Sequence, residues 1–152
     1  MQRGLACASQ GRRAIDIYIP SKLYSVGGMI SAEWSVEYTD EFEEWWASLS
    51  EDEQVVVSAK VELLEKFGPT LPRPHSDVIV TSKHSNMKEL RGKAGETLLR
   101  VLYAFDTRRT TILLIGGDKS GNEHWYEEFV PIADRLFEEH LAGLRNEKRR
   151  RK

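Results

Sequence analysis

Two arginines stand inside apolar segments of this chain. Arg91 closes "MKELR" (87–91), and Arg100 opens "RVLYAF" (100–105). A guanidinium is costly to bury without a partner, and two that converge on one sheet face repel unless an anion sits between them. The planar fork of arginine donates paired hydrogen bonds, which suits a phosphate. A carboxylate of the chain itself, Glu89 or Asp118, would also serve, and the sequence leaves both open. Lys119 lies in "GGDKSG" (116–121), at the end of the next strand candidate. That segment lacks the glycine spacing of a nucleotide-binding P-loop. His124 and Tyr126 follow closely, so a cation clamp would have a proton-transfer group beside it.

The frame that must position these residues is small. At 152 residues, 40% hydrophobic and 30% charged, the chain fits one ordinary globular domain. No apolar run reaches the roughly 20 residues of a membrane span, and no signal-peptide core follows the early arginines. One cysteine, Cys7, excludes an internal disulfide, and the expected location is cytoplasmic. The net charge of −2 conceals a division. Residues 31–66 carry eleven acids against two lysines, whereas residues 87–119 carry seven Lys/Arg against four acids. The closing "RNEKRRRK" is strongly basic. A chain acidic on one side and basic on another suits contact with a polyanion on one face; acidic helices that are merely solvated are the plainer alternative.

Residues 1–30 have weak periodicity and are expected to form a loose N-terminal extension, with Met29 a candidate internal translation start. Residues 31–144 form the patterned domain, and 145–152 a flexible basic tail whose contacts with a polyanion would be non-specific and salt-sensitive. "WSVEY" (34–38) alternates as a strand, with Trp34, Val36 and Tyr38 on one face. Phe42, Trp45, Trp46 and Leu49 make a helical stripe capped by Thr39 or Asp40. "SEDE" (50–53) is a capping box opening a second helix with a stripe of Val56, Ala59, Leu63 and Phe67, stopped by "GPTLPRP". Residues 75–86 read as irregular. Three strands follow at 87–91, 97–105 and 111–117, joined as antiparallel hairpins, with "TILLI" central. A last helix over 125–144 places Phe129, Ile132, Leu136, His140 and Leu144 on one side, with a kink or a start at Pro131. The expected fold is α+β: a small antiparallel sheet, a helical hairpin and a C-terminal helix in the order β-α-α-β-β-β-α.

Alternation puts Arg100 with Leu98, Leu102 and Ala104, opposite the aromatic face, so its own face is expected to be the more open. Arg91 shares that face if it pairs opposite residue 98 and leaves it if opposite 99; the sequence does not fix this register.

The run "WSVEYTDEFEEWW … MKELRG … LLRVLYAFDTRRTTILLIGGDKSG … WYEEFVPIADRLFEEHL" resembles the phage-derived HigB-like toxins of the RelE/ParE superfamily over roughly residues 33–142. The resemblance implies a toxin paired with a helix-turn-helix, HigA-like antitoxin. It also implies metal-independent, cofactor-free cleavage of mRNA on the ribosome: the ribose 2′-hydroxyl attacks the adjoining phosphate and leaves a 2′,3′-cyclic end. Residue by residue, Arg91, Arg100 and Lys119 match the superfamily's basic set, and Tyr126 its C-terminal tyrosine once a short gap is allowed. His124 and His84 compete for the histidine role of HigB relatives. Lys88 and Lys93 are candidate RNA contacts, although alternation turns Lys88 away from Arg91. Met87 and Glu89 stand where RelE proper carries lysines. His140 is expected to be structural, and Trp45–Trp46 to be core. A gyrase inhibitor of ParE type and a catalytically inactive antitoxin-binding module are the alternatives. The nuclease reading requires that the cations gather, and that they not all be neutralised by the chain's own carboxylates.

Overall fold

The computed structural model describes residues 34–151, together with the backbone of a short strand β1 at Arg13–Ala14. Apart from that strand, the expectations for residues 1–30 lie outside the described residues. Strand β2 (Ser35–Tyr38) leads into helices α1 (Asp40–Ala47) and α2 (Glu51–Phe67). These are followed by β3 (Ser76–Val78), β4 (Lys88–Ala94), β5 (Thr97–Phe105), β6 (Thr110–Asp118) and α3 (Trp125–Arg150). The class is α+β, and the anticipated elements occur in the anticipated order.

The local signals explain the helical hairpin. Thr39 caps α1, its side chain accepting from the Phe42 amide at 3.0 Å. Ser50 and Glu53 close the reciprocal box that starts α2, at 3.1 and 2.9 Å. The buried stripe of α2 differs from expectation: Val57, Val61 and Leu64 face the sheet, while Ala59 is exposed and Phe67 is 48% exposed. The run Val55–Val57 offers three phases, and tertiary packing selects the last. Gly68 then ends the helix at φ 54°, so close beneath Trp34 that a Cβ there would meet the indole at 2.3 Å.

The sheet order is β1-β2-β6-β5-β4-β3. It is mixed rather than purely antiparallel, because β2 runs parallel to β6. The segment expected to be irregular supplies edge strand β3, which pairs antiparallel with β4. The hairpin of α1 and α2 covers one face, where Phe42, Val57, Val61 and Leu64 meet Leu90, Leu99, Val101, Tyr103 and Leu113. Helix α3 covers the other, with Trp125, Val130, Ala133, Leu136 and Phe137 against Leu102, Ala104, Ile112 and Leu114. β6 is therefore buried on both sides, as its apolar run requires. The face of Arg100, expected to be open, is roofed by α3, and only its end is left accessible.

Helix α3 starts at Trp125 and continues through Pro131. Pro131 and Glu127, whose carbonyl loses its amide partner, are both exposed, where water can satisfy the carbonyl. The buried line follows Val130, Ala133, Phe137 and His140, rotated from the expected stripe, with Phe129 and Ile132 on its flank. The supposed tail is helical as far as Arg150. Lys148, Arg149 and Arg150 in the last turn complement the helix dipole.

His140 ties α3 to the β5–β6 turn, the structural role expected of it. Its Nε2 lies 2.8 Å from Asp106 Oδ2, and the two side chains are 2% and 0% exposed. Arg108 bonds the same carboxylate at 2.6 Å and reaches Glu37 at 3.1 Å. An ionised carboxylate can only accept, so the Nε2 carries a proton. Burial pushes the Asp106 carboxyl up, but the His140 and Arg108 hydrogen bonds outweigh it and hold the pKa at about 2.

Two outcomes follow. Because the folded pKa of Asp106 lies below its ordinary 3.8, its contribution is complete above that value and is lost as pH falls toward 2. Acid titration of stability should show this loss in the parent and a flatter limb in Asp106→Asn. At Gly116 a Cβ would meet the Trp45 ring at 2.3 Å, so Gly116→Ala should lower the denaturant midpoint by the equivalent of about 1–3 kcal/mol.

Candidate active site

Strands β4 and β5 place Arg91 directly opposite Arg100. That register has the parity of the shared-face alternative, so both side chains lie beneath α3. Like charges facing each other across an antiparallel pair are destabilising. Glu89, two residues before Arg91, returns to the same face and fills the gap. Its carboxylate is 2% exposed. Arg91 Nε donates to Oε2 at 2.9 Å, Arg100 Nε lies 3.6 Å from Oε1, and the Tyr126 hydroxyl donates to Oε1 at 2.8 Å.

The surroundings fix each donor. Asp77 on β3, paired opposite Glu89, accepts from Arg91 Nη2 at 3.1 Å and from Arg73 at 2.8 Å. Arg100 sends Nη1 to the Leu99 carbonyl at 3.0 Å, while its buried Nε has no hydrogen-bond partner. Gly117 lies opposite Arg100 on β6, and a Cβ there would meet the Trp125 indole at 2.8 Å. Trp125 stacks on Phe129 at 4.5 Å, and this aromatic base sets the first turn of α3 that carries Tyr126. Lys119 is anchored by its amide to the Leu98 carbonyl at 2.8 Å. Its Nζ stands 5.6 Å from the Tyr126 ring centroid, with no carboxylate partner among the described residues.

Arg91, Arg100, Lys119 and Tyr126 are thus brought together. The condition set by the sequence is met in part: Arg91 is neutralised by Glu89 and Asp77, Arg100 has one long contact, and Lys119 is free of a carboxylate. Arg73, Arg91 and Arg100 share the carboxylates of Glu89 and Asp77, three cations to two anions. Burial and then the Glu89 hydrogen bond raise the Tyr126 pKa, so the phenol keeps its proton. For Arg91, burial lowers the pKa, and the bond and charge of Glu89 more than offset it.

Other candidates fall elsewhere. Lys88 points to the helical-hairpin face and donates to the Pro69 carbonyl at 3.0 Å. Lys93 stays on the Arg91 face by alternation and is exposed. His124 flanks the start of α3 with a 70% exposed side chain and pairs with Glu127 at 2.9 Å, not with the Glu89 cluster. His84 sits edge-on to Phe137, 3.4 Å from Glu138. The residue the sequence undervalued is Glu89, visible there only as a possible neutraliser. Its i, i+2 spacing from Arg91 was the available signal. Glu89→Ala should leave both guanidiniums facing each other. The expected loss, read by denaturant unfolding, is about 2–3 kcal/mol, toward the low end for a buried pair because Arg91 is a third exposed.

The family described as phage derived protein Gp49-like (DUF891) matches residues 44–138. A Mycobacterium tuberculosis (strain ATCC 25618 / H37Rv) protein named as toxin HigB3 is 48% identical over 102 residues, covering 66% of this chain and 88% of the relative. A second protein of that strain, named as toxin HigB2, is 38% identical over 124 residues, covering 80% of this chain and 61% of the relative. No solved structure matches. The chain belongs to the phage-derived Gp49-like family and is a HigB-like toxin.

Proposed function

We propose that this toxin is a metal-independent endoribonuclease that cuts mRNA on the ribosome and is held inactive by a helix-turn-helix antitoxin. The convergence of Arg91, Arg100 and Tyr126 on the buried Glu89 carboxylate carries the reading. A phosphodiester arriving at the accessible end of the cluster meets excess positive charge, and Arg100, whose contact with Glu89 is 3.6 Å long, is the guanidinium most readily drawn toward it. Arg91, Arg100 and Lys119 then stabilise the charge that builds on the phosphoryl oxygens as the 2′-hydroxyl attacks phosphorus. Glu89 accepts the hydroxyl proton as its guanidinium partners turn to the phosphate. Tyr126, protonated at neutral pH, donates to the departing 5′-oxygen. The products are a 2′,3′-cyclic phosphate and a 5′-hydroxyl end. In this reading Lys93, exposed on the Arg91 face, contacts the RNA backbone. Lys88, turned to the opposite face, has no part in this.

The test is induction in growing cells with mapping of mRNA 5′ ends. The parent should arrest growth and leave cuts within translated codons. Arg100→Ala should fold and lose toxicity, and Tyr126→Phe should cut about 10²- to 10⁴-fold more slowly. Growth arrest with intact mRNA and blocked replication would replace this reading with that of a gyrase inhibitor. Full toxicity of Arg100→Ala at equal expression would overturn the site.

A further inference from the structure

Tyr126 belongs to two places at once. Its hydroxyl reaches Glu89, while its ring also lines a groove of about 420 Å³ between α3 and the segment after β3. That volume lies within the range of small-ligand sites. Val130 and Pro131 give the groove an apolar floor, and Thr81 and Lys83 stand on the opposite wall. The wall is held in place by Asp134, which is 5% exposed and accepts from Ser82 Oγ at 2.5 Å and from the Lys83 amide at 3.1 Å. Both donors are neutral, so Asp134 keeps its charge while its oxygens are turned to the loop. Lys83 is exposed, and its ammonium has no carboxylate partner among the described residues. At the rim, Glu127 and Glu138 have side chains 78% and 50% exposed.

We infer that this groove is a nucleotide subsite, seating the base of the RNA residue adjoining the scissile phosphate, with Lys83 on the neighbouring phosphate. The inference rests on the nuclease reading above and goes beyond it by placing the base. Three observations select a nucleotide over other occupants. The groove continues directly from the catalytic cluster through one shared side chain, so a chain whose phosphate lies at Arg91 and Arg100 has its next unit beside Val130 and Pro131. A flat base suits a tyrosine-edged apolar slot. The free cation and the rim carboxylates match a ligand that is anionic at one end and donates hydrogen bonds at the other. Carboxylates accept from the exocyclic amines of bases, so adenine, guanine and cytosine are favoured over uracil.

The test combines two readouts on the full chain, parent and the exposed-wall variants Thr81→Trp and Lys83→Glu, each first shown to melt like the parent. The four nucleoside 5′-monophosphates are titrated and amide shifts are followed. Reporter mRNAs are cut in a translating extract, and their ends are mapped. The nucleotides should perturb residues 81–83 and the first turns of α3, uridine 5′-monophosphate least. Both variants should lose that response and cut about tenfold less, with altered base preference beside the cut. Variants that cut with unchanged rate and preference would overturn the subsite and leave the nuclease standing. A parent that seats nucleotides in the groove yet cuts nothing would support the subsite and remove the nuclease. Variants that cut normally and escape only the antitoxin would overturn the subsite in favour of a protein-docking surface.

Discussion

One carboxylate governs the arrangement of β4, β5 and α3. The strand register sets two guanidiniums opposite each other, a contact that opposes folding unless negative charge lies between them. Glu89 supplies that charge from inside the fold and joins the tyrosine of the C-terminal helix to the same point. A slip of one residue between the strands would send Arg91 to the far face and separate the group. Sheet pairing, helix docking and site geometry are therefore one constraint.

The helix packing supports this from behind. Gly117 lets the Trp125 indole close on the sheet, Phe129 stacks on that indole, and Tyr126 is carried toward Glu89 by the same turn. Farther along, the buried His140–Asp106 bond fixes the opposite part of α3 to the β5–β6 turn. The helix is held at three polar points, Tyr126, Asp134 and His140, with apolar packing around them, which restrains it from sliding or rolling.

Much of this could be read from residue order, and the failures have physical causes. Capping signals are local, so Thr39 and the Ser50–Glu53 box were visible. Alternation is also local, so the faces of Leu99, Val101 and Tyr103 were visible. The phase of α2 was not, because Val55, Val56 and Val57 satisfy three phases equally and only the sheet decides. The roof over Arg100 was missed for a similar reason: which face a helix covers depends on chain crossing, which no window of residues records. The parallel pairing of β2 with β6 joins segments about seventy-five residues apart and leaves no local trace. Glu89 is legible in the sequence only as one of two possible carboxylate partners for the arginines, since its further value comes from Tyr126 meeting it in space.

The length of α3 changes the meaning of the basic end. Twenty-six residues of helix extend about 39 Å, and the final turn holds Lys148, Arg149 and Arg150 on rigid backbone. Charges on a slack chain can each find their own counter-ion, whereas these keep fixed separations and bearings. An anionic surface approaching that tip therefore meets a single multivalent head whose direction is coupled to the orientation of the whole molecule, so first contact there also aims the sheet.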